Sequence, residues 1–406
     1  MQRLLPFILL VLLASCFEVE KERRLQPGDY RGTFEVMDNE LLPFNFEVKG
    51  ETLLNITNAD EVIEVDEIIY RNDSVFIMFP YFETYFAATF NGNDLVGTYV
   101  EESRDRYVPF KAEFDNSNRF IVEEEETFVD VSGAWETVFS KGIAGDEYVA
   151  KGEFKQEGNK ITGTFRTPTG DYRYLEGSVN GNQLLLSTFD TAHAFLFKAT
   201  VTDSTIIDGM FYSGNHFKEP FEAKQNKDYS LPDANKLTFL KQGYDKLEFA
   251  FPDLEGNIVS LDDERFKDKV VLVQIMGSYC PNCLDESKFY TKYYEANKDK
   301  DLEIVALAFE NAKTEEKAMQ RITRMKDRLG ITYPVLLAQY ATNSKQKAQE
   351  KLPMLNHVLS YPTTIYIDKQ GEVRKIHTGF SGPATGQNYL DFVSEFEEFV
   401  GRLVEE

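Results

Sequence analysis

The chain has 406 residues, with 44 basic and 68 acidic side chains and a net charge of −24. Its length predicts two or three domains at roughly 150 residues each. The negative charge excludes a general nucleic-acid binder and a polybasic membrane patch, since both need clustered Lys and Arg. A hydrophobic content of 42% excludes global disorder, and three cysteines are too few for a disulfide-held scaffold.

The first sixteen residues have the pattern of an export signal. Arg3 precedes an apolar run over residues 4–13, which is shorter than the ~20 residues of a membrane-spanning helix. The run ends in the sequence LASC at 13–16, which resembles the lipobox of bacterial lipoproteins. The resemblance implies that residues 1–15 are a signal peptide, that Cys16 carries the lipid, and that 16–27 are a tether. The alternative is an ordinary signal peptide with a chance cysteine.

A lipidated Cys16 has a consequence for location. Two or more acyl chains anchor a protein stably where a single chain does not. We therefore expect the mature chain to be lipid-anchored in a bacterial cell envelope and to face the periplasm, at either the inner or the outer membrane.

Residues 28–225 show short alternating apolar runs separated by turn signals such as Asn-Gly, which predicts antiparallel β structure. Two pairs of segments match at one constant offset of 111 residues: Ala88-Thr89-Phe90 with Ala199-Thr200-Val201, and 109–112 with 220–223. The constant offset predicts a duplicated unit, with copies at 28–125 and 126–225. The copies would form one barrel or sandwich, or two small ones side by side.

The β-rich half shows no catalytic grouping in its sequence. His193 and His216 stand alone, so we expect ordinary hydrogen-bonded histidines rather than zinc ligands. The acidic run at 123–126 predicts a solvated connection between the copies. Residues 226–245 are polar and contain a proline and a glycine, which predicts a linker into the last domain.

From residue 246 apolar strands alternate with amphipathic helices, which predicts an α/β domain with a partly parallel sheet. We expect buried strands at 270–276 and 302–309, helices at 284–298 and 313–329, a short strand at 334–337, a hairpin at 363–368 and 372–377, and a closing helix around 392–403. The predicted fold is thus an all-β antiparallel half followed by an α/β domain over 246–406.

The sequence Cys280-Pro281-Asn282-Cys283 lies where the first of these strands meets the first helix. A helix N-terminus favours a thiolate at Cys280, and Cys283 follows one turn later, close enough to form a disulfide. Cys280 would then attack a substrate disulfide and Cys283 would resolve the mixed disulfide. Three alternatives stay open: a zinc half-site lacking two ligands, a structural disulfide whose small loop stabilises little, and two buried free thiols.

Residues 246–406 resemble thioredoxin-like proteins, specifically the TlpA/ResA-type disulfide reductases. The resemblance rests on the opening segment 249–257, on the strand and motif at 271–283, and on Tyr361-Pro362, which resembles a loop with a cis-proline facing the cysteine pair. It implies a thiol–disulfide oxidoreductase that acts on protein disulfides, takes electrons from a membrane thiol–disulfide partner and uses no metal or cofactor. Together with the lipobox, the whole chain resembles lipoproteins of Bacteroidota-type bacteria.

The resemblance also implies residue roles. Cys280 would be the nucleophile and Cys283 the resolving cysteine. Glu286 would accept the proton of Cys283, and the alternative is a solvated carboxylate on the helix surface. Gln274 stands where cytoplasmic thioredoxins have a buried Asp, and because an amide cannot take a proton, this favours the role of Glu286.

Substrate binding is assigned by the same resemblance to three residues. Tyr279 replaces the usual Trp before the first cysteine, and Tyr361 and Pro362 would bond to the substrate backbone beside its disulfide. Two other functions stay open. One is a thiol peroxidase, although the Pro-x-x-x-Thr-x-x-Cys context is absent before Cys280. The other is a non-enzymatic binding lipoprotein whose β-rich half recognises a partner.

Overall fold

The computed structural model describes residues 22–121 and 129–406. The predicted signal peptide at 1–15 and the first half of the tether, residues 16–21 with Cys16, lie outside the described residues. So do the acidic run at 123–126 and the predicted boundary between the two β units. No helix within the described residues is long and apolar enough to cross a bilayer.

The first β unit is a nine-stranded antiparallel sheet in the order β4-β3-β2-β1-β9-β8-β7-β6-β5. Its edge strands β4 and β5 are consecutive and separated only by Asp66, so the sheet curls until its two edges come together there. We call this unit the first barrel. Its strands are β1 (Gly28–Glu35), β2 (Leu41–Gly50), β3 (Leu53–Asn58), β4 (Glu61–Val65), β5 (Glu67–Arg71), β6 (Ser74–Met78), β7 (Thr84–Asn91), β8 (Asp94–Glu101) and β9 (Arg106–Phe114).

The second β unit is ordered β11-β10-β18-β17-β16-β15-β14-β12-β13, and a further pairing of β11 with β12 closes eight of its strands into a barrel. We call it the second barrel. The short β13 forms a hairpin with the end of β12. The strands are β10 (Gly133–Phe139), β11 (Tyr148–Glu157), β12 (Lys160–Thr167), β13 (Gly170–Asp171), β14 (Leu175–Asn180), β15 (Gln183–Phe189), β16 (Ala194–Val201), β17 (Thr205–Ser213) and β18 (Phe217–Gln225).

The two barrels repeat one topology. In each unit the first strand pairs with the second and the ninth, and the later strands follow as antiparallel neighbours. The segments that match in sequence lie in equivalent strands: Ala88 in β7 and Ala199 in β16, and Pro109 in β9 and Pro220 in β18. The predicted duplicated antiparallel unit is confirmed, in the form of two barrel-like sheets.

Aromatic side chains fill the barrels because alternate strand residues point inward. Trp135 is fully buried in the second barrel and donates its indole N–H to the Val131 carbonyl at 2.9 Å. Phe189, at the end of β15, lies instead in the core of the first barrel. Its ring centroid is 4.9 Å from that of Phe34 and 4.8 Å from that of Phe44. The two barrels therefore share a core residue.

The last domain is a thioredoxin-like layer structure with a five-stranded sheet ordered β23-β22-β21-β24-β25, in which β21, β22 and β23 are parallel. Its strands are β19 (Ala250–Pro252), β20 (Ile258–Ser260), β21 (Val270–Met276), β22 (Leu302–Phe309), β23 (Val335–Gln339), β24 (Thr363–Ile367) and β25 (Val373–Thr378). Its helices are α1 (Pro281–Asn297), α2 (Glu315–Leu329), α3 (Lys345–Lys351) and α4 (Gln387–Glu405).

Most elements of this domain lie where the sequence predicts them, with ends shifted by a few residues. Helix α1 starts at Pro281 rather than at residue 284, because Cys280 itself caps it. The short α3 is unpredicted, since its polar sequence buries only Ala348 and so has no apolar stripe. Short 3₁₀ helices are found at Met37–Asn39, Glu102–Arg104 and Pro383–Thr385.

The predicted linker at 226–245 contains no helix or strand, but it lies along the last domain. The backbone N–H of Lys241 donates to the Met354 carbonyl at 2.8 Å, and that of Asn356 donates to the Phe239 carbonyl at 2.9 Å. Main-chain hydrogen bonds hold this segment in place despite its polar composition.

Candidate active site

The two cysteines lie at the start of α1, immediately after the buried strand β21. Cys280 is the N-cap residue, and its sulfur accepts a hydrogen bond from the Cys283 backbone N–H at 3.3 Å. Both are free thiols; Cys283 is buried and Cys280 is partly exposed. This arrangement leaves Cys280 as the sulfur that a substrate can reach.

The electrostatic environment separates the two thiols. The pKa of Cys280 is lowered chiefly by the hydrogen bond from Cys283, with help from the backbone N–H groups of Asn282 and Cys283 and from the Lys345 ammonium. Burial raises the pKa of Cys283 well above its usual value, and the negative charge on Cys280 adds to the effect. Cys280 is therefore the thiolate of the pair, and Cys283 is the thiol that stabilises it.

The loop before β24 lies beside the pair. The Tyr361–Pro362 peptide bond is cis, as the resemblance implies. The Tyr361 carbonyl accepts a hydrogen bond from the Cys280 thiol at 3.4 Å, and the Tyr361 ring stacks on Phe309 with centroids 5.6 Å apart. The Lys345 ammonium lies 3.1 Å from the centroid of the Tyr361 ring. These contacts place a main-chain acceptor and a cation next to the nucleophile.

Glu286 lies one helical turn after Cys283 and is 0% exposed, so it is not a solvated carboxylate. It accepts hydrogen bonds from Gln274 Nε2 at 2.8 Å, from Thr364 Oγ1 at 2.9 Å and from the Tyr290 hydroxyl at 3.4 Å. Burial raises its pKa to about 7, against the lowering effect of these three donors. A carboxyl group that titrates near neutral pH suits proton transfer at physiological pH.

A second buried carboxylate fixes the residues just before the cysteine motif. Glu310, directly after β22, accepts hydrogen bonds from the Ser278 backbone N–H at 2.7 Å and from its hydroxyl at 2.8 Å. Burial raises the pKa of Glu310. Neither Glu310 nor Lys345 has a sequence signal for these roles, because each lies far along the chain from the motif and becomes a neighbour only in the fold.

Arg173, next to the β13 hairpin, connects the β-rich half to the cysteine motif. Its side chain is 4% exposed and donates to the Pro281 carbonyl at 3.2 Å. The same guanidinium forms ion pairs with Asp285 of α1, with Glu61 of the first barrel, and with Asp190 of the second barrel at 3.3 Å. One buried cation thus joins both barrels to the helix that carries the thiols. An isolated arginine in a turn gives no hint of this in the sequence.

Within residues 22–121 and 129–406, no group of three or more His, Cys, Asp or Glu side chains is arranged to hold a metal ion. His193 Nδ1 lies 3.3 Å from the Asp190 carboxylate and its ring stacks on Phe195.

Fold and site together define a thioredoxin-like redoxin with a dithiol centre. The family model described as Redoxin matches residues 230–390, so the match begins inside the predicted linker. The thiol-disulfide oxidoreductase ResA of Halalkalibacterium halodurans is 31% identical over 158 residues, which are 38% of this chain and 77% of that protein. The thioredoxin-like protein YneN of Bacillus subtilis is 29% identical over 146 residues, 36% of this chain and 76% of YneN.

More particularly, the chain belongs to the ResA/TlpA-type family of thiol–disulfide oxidoreductases. It is an enzyme of that class, a thioredoxin-like thiol–disulfide oxidoreductase. These findings favour the oxidoreductase over the peroxidase and the non-enzymatic alternatives.

Two solved structures from Bacteroides species are similar to part of this chain. The thioredoxin domain of a thiol-disulfide oxidoreductase from Bacteroides vulgatus is 24% identical and covers 39% of this chain and 99% of its own, with a TM-score of 0.29. A thiol-disulfide oxidoreductase from Bacteroides fragilis is 16% identical and covers 37% of this chain and 99% of its own, with a TM-score of 0.27.

Proposed function

We propose that this protein is a lipid-anchored reductase of protein disulfides in the bacterial cell envelope, recharged by a membrane thiol–disulfide partner. The observation that carries the proposal is the asymmetry of the dithiol. Cys280 is partly exposed with a lowered thiol pKa, and Cys283 is buried with a raised one. Glu286, whose pKa is about 7, lies on the next turn of the same helix. The preference for reduction over oxidation follows the resemblance to the TlpA/ResA-type reductases.

The reaction begins at the Cys280 sulfur. Its thiolate attacks one sulfur of the substrate disulfide, the substrate S–S bond breaks, and the other substrate sulfur leaves and takes up a proton. Tyr361 places its carbonyl beside this step and Lys345 holds a positive charge near it. The product is a mixed disulfide between Cys280 and the substrate.

Cys283 carries out the second half of the reaction. Glu286 takes the Cys283 proton, and the Cys283 thiolate attacks the Cys280 sulfur of the mixed disulfide. The remaining substrate sulfur leaves and is protonated. Two electrons have passed to the substrate and the enzyme holds a Cys280–Cys283 disulfide. A membrane dithiol partner would return two electrons by the same exchange.

A redox titration of residues 17–406 tests the direction of electron flow, with Cys280→Ser as the control that abolishes the two-thiol couple. Free thiols are counted by alkylation at each redox potential of the buffer. A potential near or below about −250 mV supports the reductase, and a value near about −120 mV contradicts it.

The lipid anchor is tested separately, because it depends on Cys16 alone. We expect a bacterial host to incorporate labelled fatty acid into the full chain and not into Cys16→Ser. Equal labelling of both would contradict the proposed anchor.

A further inference from the structure

The residue before the nucleophile is covered by the first barrel. Tyr279 is half-buried, and the Arg104 guanidinium lies 5.7 Å from its ring centroid. The gap between Tyr279 and the neighbouring Phe82 and Glu101 measures only about 20 Å³. Because a single water needs roughly 10–15 Å³ by this kind of measure, no side chain of a substrate fits there.

The residue after the nucleophile is covered by the second barrel. Arg173 binds the Pro281 carbonyl, and the amide of Asn282 donates to the Asp171 carbonyl at 3.4 Å. The Asp171 carboxylate accepts from the Gly382 backbone N–H at 2.6 Å. The β13 hairpin is therefore fastened to the active-site motif and to the loop after β25.

The hairpin also meets the cis-proline loop. The Ser360 hydroxyl donates to the Thr169 carbonyl at 3.2 Å. A Cβ at Gly379 would lie 2.5 Å from the Thr169 backbone, so the two main chains are in direct contact. Thus the chain's own barrels occupy both flanks of the surface around Cys280.

A cavity with a volume of about 540 Å³ lies beside the nucleophile. It adjoins Cys280, because its lining includes Asn282 and Tyr361, whose carbonyl contacts the Cys280 thiol. Tyr148 and Tyr172 of the second barrel form part of its wall. Asp171 is the only charged residue in the lining, and its carboxylate already accepts main-chain hydrogen bonds. The cavity therefore offers aromatic faces, hydroxyls and amides, without a free charge.

We infer that this enzyme takes its disulfide from an unfolded polypeptide, whose extended and uncharged flanking residues enter the cavity between the second barrel and the cis-proline loop, and that the barrels exclude folded proteins. The inference rests on the proposed reductase function. Size supports it: the cavity falls within the 300–1,000 Å³ of a small-ligand pocket, whereas even a transient redox encounter between folded proteins buries up to roughly 600 Å² of accessible surface on each side. Chemistry supports it too, since main-chain N–H and C=O groups suit hydroxyl and amide walls.

The test compares two substrates that share one leaving group. A surface cysteine of a compact folded domain and a cysteine in an unstructured uncharged peptide are both converted to mixed disulfides with thionitrobenzoate. The reduced full-length protein supplies the two electrons for one turnover, and chromophore release gives the rate constant. We expect the peptide to react at least about tenfold faster, a difference of about 1.4 kcal/mol in activation free energy. Each rate is divided by the rate of the same substrate with a small free thiol.

A variant at the hairpin locates the cause. At Gly170, where φ is +152°, a Cβ would overlap the Asn282 side-chain amide, so Gly170→Ala displaces that amide and breaks its hydrogen bond to the Asp171 carbonyl of the hairpin. Gly158→Ala is the matched control, because Gly158 lies in the same barrel with φ of +65° and no atom within 4 Å of its Cβ position. We expect the peptide preference to fall at least about threefold in Gly170→Ala and to stay within about twofold in Gly158→Ala.

The outcomes are distinct. Equal normalised rates for peptide and folded substrate in the unmodified protein overturn this inference and leave the reductase intact. Equal changes in both glycine variants overturn the role of the hairpin. Reaction with neither substrate overturns the reductase proposal itself. The comparison in the unmodified protein needs no variant, so it decides the question even if Gly170→Ala does not fold.

Discussion

Replacing the buried acid Glu286 by Gln should change how the stability of this protein depends on pH. The pKa of Glu286 is raised from 4.5 to about 7 by burial. Between these two values the folded state holds a proton that the unfolded state has lost, so stability falls as the pH rises through this window. At 1.36 kcal/mol for each pKa unit, the loss amounts to about 3 kcal/mol by pH 8. Glu286→Gln removes this component.

The measurement is the free energy of unfolding in urea, for the reduced protein and for reduced Glu286→Gln, at pH 4.5 and pH 8. Asp171, whose pKa burial raises to about 6, acts in the same direction but is present in both proteins and cancels in the comparison. Glu295→Gln on the same helix is the control. Its hydrogen bond with Thr332 lowers the pKa of Glu295, so its contribution has the opposite sign.

We expect the difference between wild type and Glu286→Gln to shift by about 3 kcal/mol in favour of the variant on going from pH 4.5 to pH 8. A difference that stays constant across this range would mean that Glu286 does not hold its proton near neutral pH. The reasoning that makes it the proton acceptor for Cys283 would then fail with it.

Three further outcomes follow from other contacts. Cys283→Ser should leave the attack by Cys280 intact and accumulate the mixed disulfide, seen by mass spectrometry; free enzyme and reduced product alone would contradict the resolving role. Lys345→Gln should slow alkylation of Cys280 about fivefold at pH 7, because the variant loses about 1 kcal/mol of attraction between the ammonium and the thiolate. Burial lowers the pKa of Lys345 to about 8, so the side chain is largely neutral above that pH and the two proteins should then react at similar rates. Phe189→Ala should cost about 3–5 kcal/mol of unfolding free energy, whereas Phe217→Ala, at a site 45% exposed, should cost about 1 kcal/mol or less; similar losses would show that the shared core is unimportant.

Local signals in the sequence predict most of this fold. The repeat was visible because strands β7, β9, β16 and β18 keep similar residues at one offset, and the cysteine motif was visible because strand, cap and helix are contiguous. A polar linker was harder to place, because main-chain hydrogen bonds such as that from Lys241 to Met354 leave no mark on composition.

The surroundings of the site could not be predicted in the same way. The position of Glu286, three residues after Cys283, fits either a solvated helix residue or a buried acid. Only its contacts with Gln274 and Thr364 in the fold show that it is buried. Lys345 and Arg173 reach the motif through folding over long sequence separations. The apolar periodicity of a helix or strand shows which of its faces is apolar. It does not show which residues that face contacts in the fold.

The position of Arg173 has a structural consequence. Its guanidinium forms ion pairs with one carboxylate from each barrel and one from α1. It also donates a hydrogen bond to the carbonyl of Pro281, which lies between the two cysteines in the sequence. Buried pairs of this kind are little screened by salt, and breaking one leaves an uncompensated charge inside the protein. This one side chain therefore connects both barrels to the first turn of α1, which carries both sulfurs. Removing the guanidinium would leave three carboxylates, from three domains, without the cation they share, next to the dithiol.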